Sequence, residues 1–111
     1  MHNKISLIIP STRPGCLDLS LRSALDQDPP FFEIIISDNN VECINHQKKF
    51  KKYSNVKYFK TPKYLDLVDN WNFAFNKING DWVLLLTDKD LIVKSFTKII
   101  NRYIDEDKNC P

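Results

Sequence analysis

Trp82-Val83-Leu84-Leu85-Leu86-Thr87-Asp88-Lys89-Asp90 is the stretch that decides the fold. Its unbroken apolar run is too short for an ordinary helix and lacks helical rhythm, so it reads as a buried strand. The acids follow at once, which puts two carboxylates in a turn at the strand's carboxyl end. Just upstream, Asn79-Gly80 reads as a helix stop, glycine taking the left-handed conformation past the last turn. Before it, Leu67, Trp71, Ala74, Phe75 and Ile78 recur at helical spacing, with Trp71 and Phe75 expected in the core.

The same alternation extends to the N-terminus. Ile5 to Ile9 is an isoleucine-rich strand that stops at Pro10, and Leu17, Leu21, Ala24 and Leu25 mark one face of a helix ended by Pro29-Pro30. Phe32 to Ile36 is a second strand, closed by Ser37-Asp38-Asn39-Asn40, and residues 42–53 form a polar helix. Val56 to Phe59 is a third strand, and Phe96, Ile99, Ile100, Tyr103 and Ile104 mark a last amphipathic helix. Strands apolar on both faces and alternating with helices predict an α/β architecture, a mostly parallel sheet covered on both sides.

The 111 residues suit a single domain spanning 1–111, with a core toward the small end of what folds alone. A net charge of +2 speaks against an electrostatic nucleic-acid binder. The one dense basic run, Lys48-Lys49-Phe50-Lys51-Lys52, reads as a solvated helix face or as a surface for acidic headgroups or an anionic substrate. Cys16, Cys43 and Cys110 are odd in number without C-x-x-C spacing, and His2 and His46 lack partners at metal-ligand spacing. That argues against a disulfide framework or a zinc site and for a reducing, cytoplasmic setting. No apolar run reaches membrane-spanning length, and the N-terminus enters a strand without a leader pattern.

Ligands of open parallel sheets bind at the carboxyl ends of the strands, where strand order reverses. Three such ends carry polar residues: Pro10-Ser11-Thr12-Arg13, Ser37-Asp38-Asn39-Asn40 and Thr87-Asp88-Lys89-Asp90. Asp88 and Asp90 offer hard oxygen ligands for Mg²⁺ or Mn²⁺, or else simply cap the following turn. Asp38 is placed to accept from a nucleobase imide or a ribose hydroxyl, or to form an Asx turn. Arg13 presents a planar fork suited to phosphate, although an Arg in a loop is often just solvated.

In order and spacing, SLIIPSTRP (6–14), FEIIISDNN (32–40) and NWNFAFNKINGDWVLLLTDKD (70–90) together resemble the start of the family 2 glycosyltransferases of the GT-A, Rossmann-like fold. The resemblance runs from about Ser6 to Ile104 and implies the nucleotide-sugar-binding half of such an enzyme, truncated before its acceptor-binding part. It implies that Pro10, Ser11, Thr12 and Arg13 cradle the nucleoside, with Asp38 and Asn39 against the base, commonly uracil. Asp88 would approach ribose or metal, and Asp90 would hold Mn²⁺ or Mg²⁺ on the diphosphate. The implied reaction moves a sugar from a nucleoside-diphosphate donor to an acceptor hydroxyl of a saccharide or lipid-linked molecule, with inversion. Lys89 departs from relatives that carry an acid inside the turn. No acid between Leu91 and Pro111 matches the family's general base, and Asp105, Glu106 and Asp107 read as a helix end. Two other readings stand: an inactive nucleotide-binding or interaction module built on this fold, and a receiver-like signalling domain, which explains TDKD less well. A sheet edge left open by truncation would favour self-association, and peripheral membrane contact stays open.

Overall fold

The computed structural model describes residues 3–13, 17–40 and 46–107. The chain runs β1 (Ile5–Ser11), α1 (Leu17–Leu25), β2 (Glu33–Asp38), α2 (Gln47–Phe50), β3 (Val56–Lys60), α3 (Leu67–Phe75), β4 (Trp82–Leu85) and α4 (Phe96–Glu106). The strands form one four-stranded sheet in the order β3-β2-β1-β4. Every pairing is parallel, with Ile8 opposite Ile35 and Leu85, and Ile36 opposite Tyr58. Cys16, Cys43, Cys110 and His2 lie outside the described residues, as does the first part of the helix expected over 42–53.

All seven residues of β1 and all six of β2 are buried, as expected of strands covered on two sides. The covering is lopsided. Leu7, Ile9, Ile34 and Ile36 belong to a large core with Leu17, Leu21 and Ala24 of α1, Phe50 of α2 and Ile104 of α4. On the other side Ile8 and Ile35 meet Ala74 of α3, with Phe59, Ile78 and Leu85 partly buried around them.

Several details differ from the sequence reading. β1 continues through Pro10 to Ser11. The Ser11 carbonyl accepts from Asn39 toward β2, whereas the Ile8 carbonyl accepts from Leu86 toward β4. Strand alternation therefore turns position 10 to the β4 side, beyond the end of β4, where a missing N–H costs no ladder bond. β4 is an edge strand, so Trp82 and Val83 are 49% and 39% exposed rather than enclosed.

In α3 the buried positions are Asn70 and Ala74. Leu67 and Phe75 are exposed and Trp71 is half-buried, and on the inward face Asn70 Oδ1 accepts from Ser37 Oγ of β2 at 2.6 Å. In α4, Phe96, Ile100 and Ile104 pack as expected, whereas Ile99 and Tyr103 face outward. The helix closes at Glu106, with Asp107 as its C-cap. Lys48, Lys49, Lys51 and Lys52 are exposed around buried Phe50, as a solvated helix face requires.

No described glycine has a positive φ, so Gly80 is not a left-handed stop. Its need is space: an added Cβ would lie 2.5 Å from Ser6 Oγ and 2.7 Å from the Lys4 carbonyl. Gly80 N–H donates to Ser6 Oγ at 2.9 Å, and that hydroxyl donates to Glu33 Oε2 at 2.6 Å. Lys57 Nζ donates to Glu33 Oε1 at 2.7 Å, and the Asn79 backbone and side chain donate to the same carboxylate. Burial by itself would raise the Glu33 pKa. The bonds from Lys57, Ser6 and Asn79 outweigh it and lower the value from 4.5 to about 2.

Two outcomes follow for stability. Between pH 4.5 and about 2 the unfolded chain binds the proton that folded Glu33 refuses. The contribution is therefore complete above the unfolded pKa and disappears as pH falls through this window, on the order of 3 kcal/mol in all. Urea midpoints measured across that range should fall steeply for the wild type and more gently for Glu33→Gln; parallel profiles would mean that the carboxylate is not so held. Gly80→Ala should lose about 1–3 kcal/mol in the same assay through overpacking against Ser6 and Lys4, and an unchanged midpoint would show that this joint yields freely.

Candidate functional site

Because all four strands are parallel, the carboxyl ends of β1, β2, β3 and β4 lie along one edge of the sheet. The chain leaves β1 to build β2 and β3 on one side and returns to place β4 on the other. The strand order therefore reverses at β1, and crevices of parallel sheets open at such points.

At this reversal Ser11, Arg13 and Asp88 come together. Ser11 Oγ donates to Asp88 Oδ2 at 2.7 Å and Arg13 Nη2 donates to Asp88 Oδ1 at 2.8 Å. The Arg13 backbone N–H donates to Ser11 Oγ at 3.0 Å, closing a small ring. The Asp88 carboxylate is nearly buried, while the Arg13 side chain is 45% exposed. Such a charge-assisted pair fixes the carboxylate and leaves part of the guanidinium toward solvent. Pro10 is buried within β1; Thr12 is exposed, and its carbonyl accepts from Asn40 Nδ2 at 2.7 Å.

Asp90 lies on the outer side of the turn. Its Oδ2 accepts from Thr87 Oγ1 at 2.7 Å and its N–H donates to the Thr87 carbonyl at 3.2 Å, while the residue stays exposed. Lys89, between the two acids, is exposed as well. The donors are hard oxygens of the kind Mg²⁺ and Mn²⁺ take. Among the described residues, no group of three or more His, Cys, Asp or Glu side chains forms a protein-only cage. The exposed Asp90 carboxylate, bonded on one oxygen only, is chemically suited to such an ion, whereas both oxygens of Asp88 are already bonded to Ser11 and Arg13.

Asp38 is fully buried. It accepts from the Tyr58 hydroxyl and from the Asn40 N–H at 3.0 Å, with Lys60 Nζ 3.6 Å away. Lys60 also donates to the Asn40 carbonyl at 2.6 Å. Tyr58 stacks on Phe50 at 5.5 Å between ring centroids, and its oxygen accepts from the His46 N–H at 3.1 Å. Burial, reinforced by Asp38, pushes the Tyr58 hydroxyl up to about 12, which keeps it a donor across the physiological range.

Asn39 is buried too. Its Nδ2 donates to the Leu65 carbonyl at 2.7 Å, and its Oδ1 accepts from Leu65 N–H at 2.8 Å and Thr61 Oγ1 at 3.0 Å. Its amide thereby braces the loop that leads into α3.

The strand-end residues singled out from sequence thus form two neighbouring groups on one edge, Ser11–Arg13–Asp88 and Asp38–Asn39–Asn40, joined where Asn40 reaches Thr12. Asp90 stands at the rim. Sequence reasoning did not single out Tyr58 and Lys60, which hold Asp38, or Thr61. Their signal was available, since Val56-Lys57-Tyr58-Phe59-Lys60 places them at or near the end of a predicted parallel strand.

The fold is shared with solved structures. The chain superposes on the crystal structure of S. aureus TarS residues 1–349 with a TM-score of 0.81 at 24% identity, covering 95% of this chain and 33% of that one. TarS 1–349 in complex with UDP gives 0.79 at 25% identity, with the same coverage, and the longer TarS structure gives 0.79 at 25%, covering 20% of that chain. The chain thus spans a third or less of each of these solved structures, and its sheet has the Rossmann-like architecture of a GT-A fold. No curated protein sequence matches it. The family model for glycosyl transferase family 2 matches residues 6–111, nearly the whole chain, and the chain belongs to that family.

Proposed function

We propose that this chain is the donor-binding part of an inverting glycosyltransferase that takes its sugar from a nucleoside diphosphate, UDP foremost. The observation that carries the reading is the convergence of Ser11, Arg13 and Asp88 at the strand-order reversal, next to the buried Asp38 group. UDP as the nucleotide is favoured by the likeness to a TarS structure in complex with UDP.

In this reading Thr12 and Arg13 face the nucleotide from the loop after β1, with Pro10 and Ser11 shaping that loop from beneath. Asp38 and Asn39 hold the floor under the base, and Asp88 meets the ribose or the metal. Arg13, released in part from Asp88, turns its fork to the diphosphate, and Asp90 holds Mn²⁺ or Mg²⁺. The metal supplies charge neutralisation to the departing diphosphate. During transfer the bond between the anomeric carbon and the diphosphate oxygen breaks, and an acceptor hydroxyl oxygen takes its place from the opposite face. The hydroxyl proton passes to a base supplied from outside this donor-binding part, which also contributes the acceptor pocket.

No helix among the described residues is long and apolar enough to cross a membrane. We retain a cytoplasmic setting, and self-association along the open β4 edge, as parts of this proposal.

Thermal-shift titrations with UDP, GDP and dTDP, each with and without Mn²⁺, test it on the wild type and on Asp90→Ala. A ligand that binds only the folded state adds about 2.7 kcal/mol at a hundredfold excess over its dissociation constant. The expected result is a shift with UDP that grows with Mn²⁺ and loses the Mn²⁺-dependent part in Asp90→Ala. No shift with any nucleotide, from protein shown to be folded, would overturn the donor-site reading.

A further inference from the structure

Helix α1 carries an unusual stripe. Its core face is apolar, with Leu17, Leu21 and Ala24 buried, yet Ser20 is 1% exposed and Gln27, just past the helix end, is 5% exposed. Polar groups taken out of water cost free energy unless they are bonded, so their partners show what holds them there. Ser20 Oγ lies 2.6 Å from the Asp90 carbonyl and 3.0 Å from the Asp88 carbonyl, sharing one proton between them. Ser23 Oγ donates to the Ser20 carbonyl at 2.7 Å and accepts from Ile92 N–H at 3.1 Å. Gln27 Nε2 donates to the Val93 carbonyl at 2.8 Å, and its Oε1 accepts from Thr97 N–H at 2.9 Å. Positions 20, 23 and 27 fall at i, i+3 and i+7, one line along the helix. Step for step, that line grips residues 88 to 97.

The gripped segment has no regular backbone ladder of its own. Residues 86–95 lie in neither strand nor helix, and Lys89, Asp90, Leu91, Val93 and Lys94 are exposed. β4 ends at Leu85, and Leu86 makes the last bond to β1. Beyond that point Ser11 and Arg13 hold the Asp88 carboxylate, and the backbone carbonyls of Asp88 and Asp90 are held by Ser20 of α1.

We propose that Ser20 is a positioning residue for the donor site: its hydroxyl, backed by Ser23 and Gln27, sets the distance between the Asp88 and Asp90 backbones and so aims both carboxylates at one ligand. The functional part rests on the donor-site reading above; the mechanical part does not. Ser20 touches no ligand in this scheme and acts only through the two acids.

The test measures two things on the same chain. The first is amide exchange at Asp90 and Ile92 by NMR, which needs no ligand. The second is affinity for UDP with and without Mn²⁺. Ser20→Ala removes one oxygen and opens no large cavity, so it should fold. Ser6→Ala, at the opposite edge of the sheet, cuts a buried bond to Glu33 and serves as the control for general destabilisation.

In Ser20→Ala, exchange at Asp90 should quicken about tenfold, the scale that loss of a buried hydrogen bond provides, with little change at Ile8 or Ile35. The Mn²⁺-dependent gain in UDP affinity should fall about tenfold, as for other changes to groups that orient metal ligands, while metal-free UDP binding stays as in the wild type. Ser6→Ala should lower the melting temperature without either selective effect.

Exchange that rises evenly along the chain in Ser20→Ala, or that stays at the wild-type rate at Asp90, would overturn the proposal. So would an intact Mn²⁺-dependent gain in the variant. If the wild type binds no nucleotide at all, the donor-site reading fails with its own experiment, and the exchange measurement still decides whether Ser20 holds the turn.

Discussion

The double-sided pairing of β1 is the constraint on which the rest depends. This strand is hydrogen-bonded to β2 along one side and to β4 along the other, and it is buried from end to end. A parallel strand so enclosed has its side chains assigned to faces without freedom to slip, because a shift of one residue would exchange the two cores. Leu7 and Ile9 are committed to the thick side under α1 and α4, and Ile8 to the thin side under α3. Once those three are placed, Ser11 must emerge beside Asp38 and within reach of Asp88. The ligand edge is therefore a by-product of core registration.

The sheet has polar organisation at both ends, for different reasons. At the amino-terminal edge, Glu33 collects Ser6, Lys57 and Asn79 and so fastens β1, β2, β3 and the approach to β4. Every acceptor there is satisfied by a neighbour within the fold. At the carboxyl edge the bonding is more open: Arg13 is half exposed, and Asp90 is bonded on one oxygen only to its own turn. One end is buried and closed, whereas the other carries its charged side chains nearer to solvent.

Much of this was legible in the sequence because period and punctuation survive folding. Ile5–Ile9, Phe32–Ile36 and the isoleucine and leucine runs announced buried parallel strands, and the polar residues after each run marked the ligand edge. What stayed hidden depended on neighbours. Nothing within Trp82 to Leu86 tells that this strand lies at an edge, since an edge is a property of the sheet. The inward face of α3 carries Asn70, whose tie to Ser37 comes from a strand distant in sequence, while Leu67 and Phe75 stay exposed. Gly80 looked like a helix stop from its partner Asn79, whereas its requirement is clearance from Ser6, a residue 74 positions away. The side-chain partners of Asp38, Tyr58 and Lys60, sit near the end of a predicted strand, but their pairing with Asp38 depends on β3 lying beside β2.

The exposed edge also gives the molecule a built-in optical probe. The chain has two tryptophans. Trp71 is half-buried on α3, on the far side of the sheet from the large core, whereas Trp82 stands 49% exposed at the start of β4. An indole in water emits at longer wavelength than one in an apolar setting, so the red part of the emission belongs mainly to Trp82. Anything that lies down along β4, whether polypeptide or a second copy, would dry that indole and shift the emission to the blue. Ligands at the carboxyl edge, reached through Ser11 and Asp88, would leave it unmoved, so the colour of the fluorescence separates events at the two borders of the sheet.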